Sequence, residues 1–242
     1  MNLNSHSLSA VTDAIAPATP SQPVQTSGRS AVRAFPTKQL RAELTREKLL
    51  HTGKTLLDTG GFDDISIAQI AAASGCSVRA FYMRFKNKKA YFEFLLDRVV
   101  DEVRQEAEHT LTPARTTGLT LERTIQLCVD HHIKVIRSHE GVIRAALAYS
   151  INGSDDWQPI RDAGIGLNAH YIGLILRKSR IRDKTAARNN LLVGLNIITG
   201  HLINIIAHET EVMPLHHPDL SFWLSSIVLH CLRSKPADAA LP

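Results

Sequence analysis

Residues 191–206 read LLVGLNIITGHLINII, and residues 222–232 read FWLSSIVLHCL. At helical spacing neither stretch leaves a wide polar face. A helix that is apolar nearly all round must be buried on nearly all sides. One small domain rarely achieves that twice at its C-terminus. Two copies of the chain achieve it by pairing these helices in a four-helix bundle with an isologous two-fold interface. Leu191, Leu195, Ile198, Leu202, Trp223 and Ile227 are the expected interface residues, with Gly194 and Gly200 letting partner helices approach closely. Packing within the core of a single chain is the alternative.

The rest of the 242 residues reads as helix and tail. Residues 1–40 are rich in Ser, Thr, Ala, Pro and Gln and carry no helical or strand period, so a disordered tail is expected there. Near its end come Arg29, Arg33, Lys38 and Arg41, either a basic arm of the kind that follows a minor groove or a solvated linker. Helical patterns then run over about 41–59, 87–109, 121–139, 141–150, 157–178, 184–208 and 219–234, with a short connector marked by Pro113 and Gly118. Asp155-Asp156 and Asp183 are placed to cap two of these helices. No strand pattern or internal repeat appears. The expected fold is all-α, with a small domain over 41–88, a helical body over 89–235 and a short tail over 236–242.

Residues 65–88 carry the densest signal. Ser66-x-x-Gln69 has the form of a capping box, in which each side chain satisfies a backbone N–H at a helix start. Ile67, Ile70 and Ala71 make one apolar stripe. Gly75 ends that helix with left-handed backbone, and Ser77 caps the next. Phe81 and Phe85 share one face, suited to a core with Leu50, Leu57, Phe62 and Ile70. The other positions, Val78, Arg79, Ala80, Tyr82, Met83, Arg84 and Lys86, are mostly cationic, aromatic or small, and none is acidic. This is a helix-turn-helix pattern, whose second helix enters a major groove by its N-terminal residues. Arg79 there suits a bidentate contact to guanine O6 and N7, and Val78 and Ala80 suit a thymine methyl. Tyr82, Arg84, Lys86 and Lys88 come later and flank the groove. Ser66 and Lys88 sit at helix starts, where backbone N–H groups attract phosphate.

The segment resembles the DNA-binding domain of the TetR family of transcriptional regulators. The resemblance rests on Ile70-Ala71-Ala72-Ala73, on Gly75-Cys76-Ser77, and on Phe81-Tyr82-Met83-Arg84-Phe85-Lys86-Asn87-Lys88 against the family's Leu/Phe-Tyr-x-His-Phe-x-x-Lys signature. Arg84 stands where the family usually has His, and Cys76 where Val is usual. The likeness covers roughly residues 41–100. It implies a repressor that binds a palindromic operator on double-stranded DNA as a homodimer, paired through its last two helices, and is released by a small organic effector held inside the body. The corresponding pocket candidates are His131, Val135, Tyr149, Asn168, Tyr171 and Asn196. The alternative is a dimeric thiol- or ligand-sensing module, without a specific operator, switched through Cys128 or Cys231.

Other chemistries find little in the sequence. The net charge of +5 favours a polyanionic partner only mildly. His131-His132, His201 with His208, and His216-His217 lack HExxH or Cys/His zinc spacing, so no metal or cofactor is expected. Asp130, His131 and Ser150 lack a nucleophile-elbow motif, so no enzyme is expected. No apolar run approaches membrane-spanning length and no secretory signal opens the chain. A cytoplasmic protein without a membrane partner is expected.

Overall fold

A computed structural model describes residues 37–151, 158–208 and 213–234. Residues 1–36 of the expected first tail, with Arg29 and Arg33, the expected second tail and the Asp155-Asp156 cap lie outside these residues, while Lys38–Leu40 of the first tail are helical rather than disordered. Ten helices and no strand occur among those described: α1 Lys38–Leu57, α2 Ile67–Ala73, α3 Val78–Tyr82, α4 Lys88–Thr110, α5 Pro113–Thr116, α6 Leu121–Ser138, α7 Glu140–Ile151, α8 Gln158–Lys178, α9 Lys184–His208 and α10 Leu220–Arg233.

Local chemistry sets most of the boundaries. Thr37 Oγ1 accepts from Leu40 N at 3.2 Å, so α1 starts at Lys38, ahead of the expected Arg41. Asn87 Oδ1 caps α4 through Ala90 N at 2.8 Å, and Asp183 Oδ1 caps α9 through Ala186 N at 2.9 Å. The expected connector at 113–118 contains α5, with Pro113 in its first turn.

α1, α2 and α3 form a head whose core is the expected Leu50, Leu57, Phe62, Ile70, Phe81 and Phe85, all buried. α4 serves head and body together. Its Tyr91, Phe92, Leu95, Leu96 and Val99 are buried, and it packs on both α1 and α8. Tyr91 sets its ring edge-on to Phe85 at 5.0 Å and tilted against Phe81 at 5.2 Å, and donates its hydroxyl to Leu49 O at 2.8 Å. Arg98 bridges Glu47 at 3.3 Å and Glu102 at 3.2 Å, tying α4 to α1 at the surface.

In the body, α9 packs on α10, α8 and α7, and α10 on α6. By length and composition α9 is apolar enough to cross a membrane, contrary to the reading that no run comes close. Its stripe Leu191, Leu195, Ile198 and Leu202 is instead packed within the bundle.

A second contact joins head to body. Gly141, in the first turn of α7, lies so close to the end of α1 that an added Cβ would stand 2.3 Å from Leu57 O and 2.7 Å from Asp58 N. The obstructing atoms are backbone, so one helix must move. Gly141→Ala is therefore expected to destabilise the protein by about 1–3 kcal/mol in urea unfolding, as overpacking does. Gly173→Ala in α8 meets nothing within 4 Å and supplies the control. It should leave stability unchanged or raise it by up to about 1 kcal/mol. Equal behaviour of the two variants would show that α1 and α7 have slack.

Candidate functional site

The head holds one helix face out to solvent because its turn is fastened from both sides. Ser66 N donates to Gln69 Oε1 at 2.7 Å while Gln69 N donates to Ser66 Oγ at 3.2 Å, which completes the capping box. Gly75 adopts φ 67°; its N–H bonds Ala72 O at 3.0 Å, and Cys76 N–H bonds Ala71 O at 2.9 Å. Those paired bonds form a Schellman motif. Ser77 Oγ then accepts from Ala80 N at 3.1 Å. α3 is regular only over Val78–Tyr82, shorter than the pattern to Lys86 suggests, although Phe85 N still bonds Phe81 O at 3.0 Å.

With Phe81 and Phe85 inward, Val78, Arg79, Tyr82 and Lys86 stand exposed together with Met83, which is 74% exposed. Ala80 is half-buried. Met83 is an addition to the expected face; a long apolar side chain that the core leaves out is its signal.

Arg84 and Lys88 are engaged elsewhere. Arg84 Nε donates to Ala42 O at 3.1 Å and its Nη1 to Ala80 O at 2.7 Å, so the guanidinium staples α1 to α3. Lys88 Nζ donates to Asp63 O at 3.2 Å and sits 4.4 Å from the centre of the Phe62 ring. Burial lowers the pKa of Lys88, opposed by Asp63 and Asp64. Both cations hold the head together, a role that the sequence expectation of groove contacts did not include.

The body holds a partly open cavity of about 160 Å³ between α4, α6, α7, α8 and α9. Three expected residues line it: Val135, Asn168 and Asn196, the last exposed at its rim. His131 and Tyr171 do not. They bond each other behind the wall, His131 Nδ1 to Tyr171 OH at 2.8 Å. Tyr149 belongs to the head–body joint. Its ring stacks on Phe92 at 5.4 Å, and its hydroxyl donates to Asp63 Oδ1 at 3.3 Å. The wall takes His132, His139 and Thr199 in their place. Burial pushes both histidines down to about 4, so they are neutral.

Four of the expected interface residues, Leu191, Leu195, Ile198 and Leu202, have no exposed surface in the single chain and belong to its own core. Gly194 likewise serves an approach within the chain: an added Cβ would lie 3.2 Å from Val228 Cα on α10. Trp223 is exposed and Ile227 half-buried. The apolar groups that reach solvent with them are Leu192, Val193, Ile197 and Phe222.

The remaining readings lack geometry. Cys128 is fully buried and its thiol is pushed up to about 12, which removes the thiolate a redox switch needs. Cys231 packs beside Gly194. Asp130 accepts from Ser221 on α10 while His131 turns to Tyr171, so Asp130, His131 and Ser150 do not converge. Among the described residues no cluster of His, Cys, Asp or Glu is arranged to hold a metal ion.

Known proteins share this fold. Residues 49–93 match the family model for bacterial regulatory proteins of the tetR family. The HTH-type transcriptional regulator EthR of Mycobacterium tuberculosis is 30% identical over 155 residues, spanning 62% of this chain and 69% of its own; EthR of Mycobacterium bovis matches to the same extent. A solved structure assigned to the TetR family, from Mesorhizobium loti, superposes with a TM-score of 0.64 at 16% identity, over 79% of this chain and 96% of its own. Another, from Rhodococcus sp., gives 0.55 at 14% identity over 78% and 99%.

Proposed function

The chain belongs to the TetR family of transcriptional regulators, and from that premise we propose that it is a cytoplasmic repressor that binds a palindromic operator as a homodimer and leaves it when a small organic effector enters the body cavity. The observation that carries the reading is the exposed face of Val78, Arg79, Tyr82, Met83 and Lys86, kept out of the core by a turn capped on both sides. A soluble surface rarely leaves large apolar side chains beside cations without a partner, and a major groove offers both methyl groups and acceptors. α4 reaches from this head to the cavity wall through Val99, Val100 and Val103, so an occupant that shifts α4 changes the spacing of the two heads. Linkage makes the effect reciprocal: operator must weaken the effector by the factor by which the effector weakens operator.

The test begins with an operator recovered by footprinting genomic DNA. Arg79→Ala should cost about 1–3 kcal/mol on that operator and relax preference at one base pair per half-site. Lys86→Ala should weaken operator and scrambled DNA alike and reduce the salt slope by about one per lost contact in each subunit. Equal loss on both DNAs for Arg79→Ala would make Arg79 a phosphate clamp and remove it from base reading.

A further inference from the structure

We infer that the body cavity selects a small uncharged molecule carrying a hydrogen-bond donor, of the phenol or alcohol class; the inference rests on the effector reading above. His132 lines the cavity and is buried, with Nε2 3.3 Å from Thr199 Oγ1. The single proton of that hydroxyl goes to Leu195 O, at 2.8 Å the nearer partner. Thr199 therefore accepts from His132, Nε2 carries the N–H, and Nδ1 is left with a lone pair. That Nδ1 is buried without a hydrogen-bond partner, and so is Oδ1 of buried Asn168 on the same wall. His132 Nδ1 and Asn168 Oδ1 are thus two unanswered acceptors on the wall of one pocket, with Nδ1 of His139 a third unpartnered atom there, and an O–H or N–H on the occupant answers them.

Most of the wall is apolar, including Val99, Val103, Val135, Ile143 and Leu167. No carboxylate lines it among the described residues, so an ammonium group finds no counter-charge. Arg161 is exposed at the rim, and a carboxylate pushed deeper would meet lone pairs. The volume of about 160 Å³ is close to the roughly 150 Å³ that accommodates benzene. A ring or short chain with one donor fits it.

Calorimetric titration of the full-length protein with p-cresol, p-xylene, benzoate and benzylammonium tests this. p-Cresol should bind at least about tenfold more tightly than p-xylene, which has its shape without the donor, and both charged probes should bind more weakly than p-xylene. His132→Leu should cut the p-cresol advantage to less than about threefold while p-xylene binds at least as well, which separates lost recognition from lost folding. Asn168→Leu gives an independent reading should that variant fail to fold. Equal binding of p-cresol and p-xylene, tightest binding by a charged probe, or no binding by any of the four overturns the assignment. Operator affinity measured on the same samples keeps the two readings apart. p-Cresol bound without loss of DNA affinity rejects the effector role and leaves the ligand class standing. Release by benzoate alone does the reverse.

Discussion

Ile197→Asp combined with Trp223→Asp is expected to yield a folded monomer. Ile197 is 48% exposed and Trp223 52% exposed, so neither substitution removes a core contact of the single chain. In a dimer closed over α9 and α10, each would bury an unpaired carboxylate beside apolar groups, and the two-fold axis doubles the penalty. A buried unpaired charge costs several kcal/mol, so the dimer dissociation constant should rise by at least about a thousandfold. Operator affinity should fall by roughly 10²–10⁴, because a monomer loses the tether that delivers the second head. Leu195→Asp makes the contrast: Leu195 has no exposed surface, and its replacement should unfold the chain. Light scattering at low micromolar concentration, with a thermal melt of each variant, distinguishes the cases. A double variant that remains dimeric would put the interface elsewhere.

Acid should destabilise the protein well before its carboxylates titrate. Burial pushes His132 and His139 down to about 4, against 6.5 for a free imidazole. His131 beside His132 adds to the effect there. Lys54 adds to it at His139, while Glu102 and Glu106 oppose it. The unfolded chain binds these protons first. Stability is therefore complete above about pH 6.5 and falls as pH drops towards 4. By pH 5 each histidine should have withdrawn roughly 2 kcal/mol, or roughly 4 kcal/mol for the pair. Glu106, held low chiefly by the hydrogen bond from Lys134, acts in a lower window: its contribution is present above the usual carboxylate pKa and disappears as pH falls through its own. Urea unfolding at pH 7.5 and 5.0 should show the loss, and His132→Gln or His139→Gln should each remove roughly 2 kcal/mol of it, while His131, also held low by burial, acts in the same direction. An unchanged pH dependence in both variants would assign the loss to other groups.

What could be read from the sequence was local. Ser66, Ser77, Asn87 and Asp183 cap their helices as side chains a few residues from the N–H groups they satisfy, and such spacing is visible in a string of letters. α5 was hidden because four residues hold no period. The cavity depended on rotation. His131 and His132 are neighbours about 100° apart on α6, and only tertiary packing turns one to the wall and the other to Tyr171. The C-terminal helices failed as a guide for a related reason. With apolar residues on both sides, the most regular stripe, Leu191, Leu195, Ile198 and Leu202, belongs to the core, and the surface falls to the less regular Leu192, Val193 and Ile197. Arg84 and Lys88 carry a charge that sequence assigns to DNA, whereas their nearest acceptors are carbonyls of their own chain.

Most joints between helices are cushioned: side chains hop rotamers and absorb small displacements. The joint of Gly141 on Leu57 and Asp58 has no such cushion. On either side of that glycine stand His139 and Ile143, both on the cavity wall. A wall movement of a few tenths of an ångström there has little to compress before it reaches the last turn of α1. The joint works as a strut where a leucine would work as a spring. For anyone recasting this regulator as a sensor, specificity can be redrawn at Leu167 or Asn168 on α8, which stand well along the chain from the strut. On the effector reading proposed above, residues 139–143 are where the gain is set, and alteration there should change how much of any signal arrives.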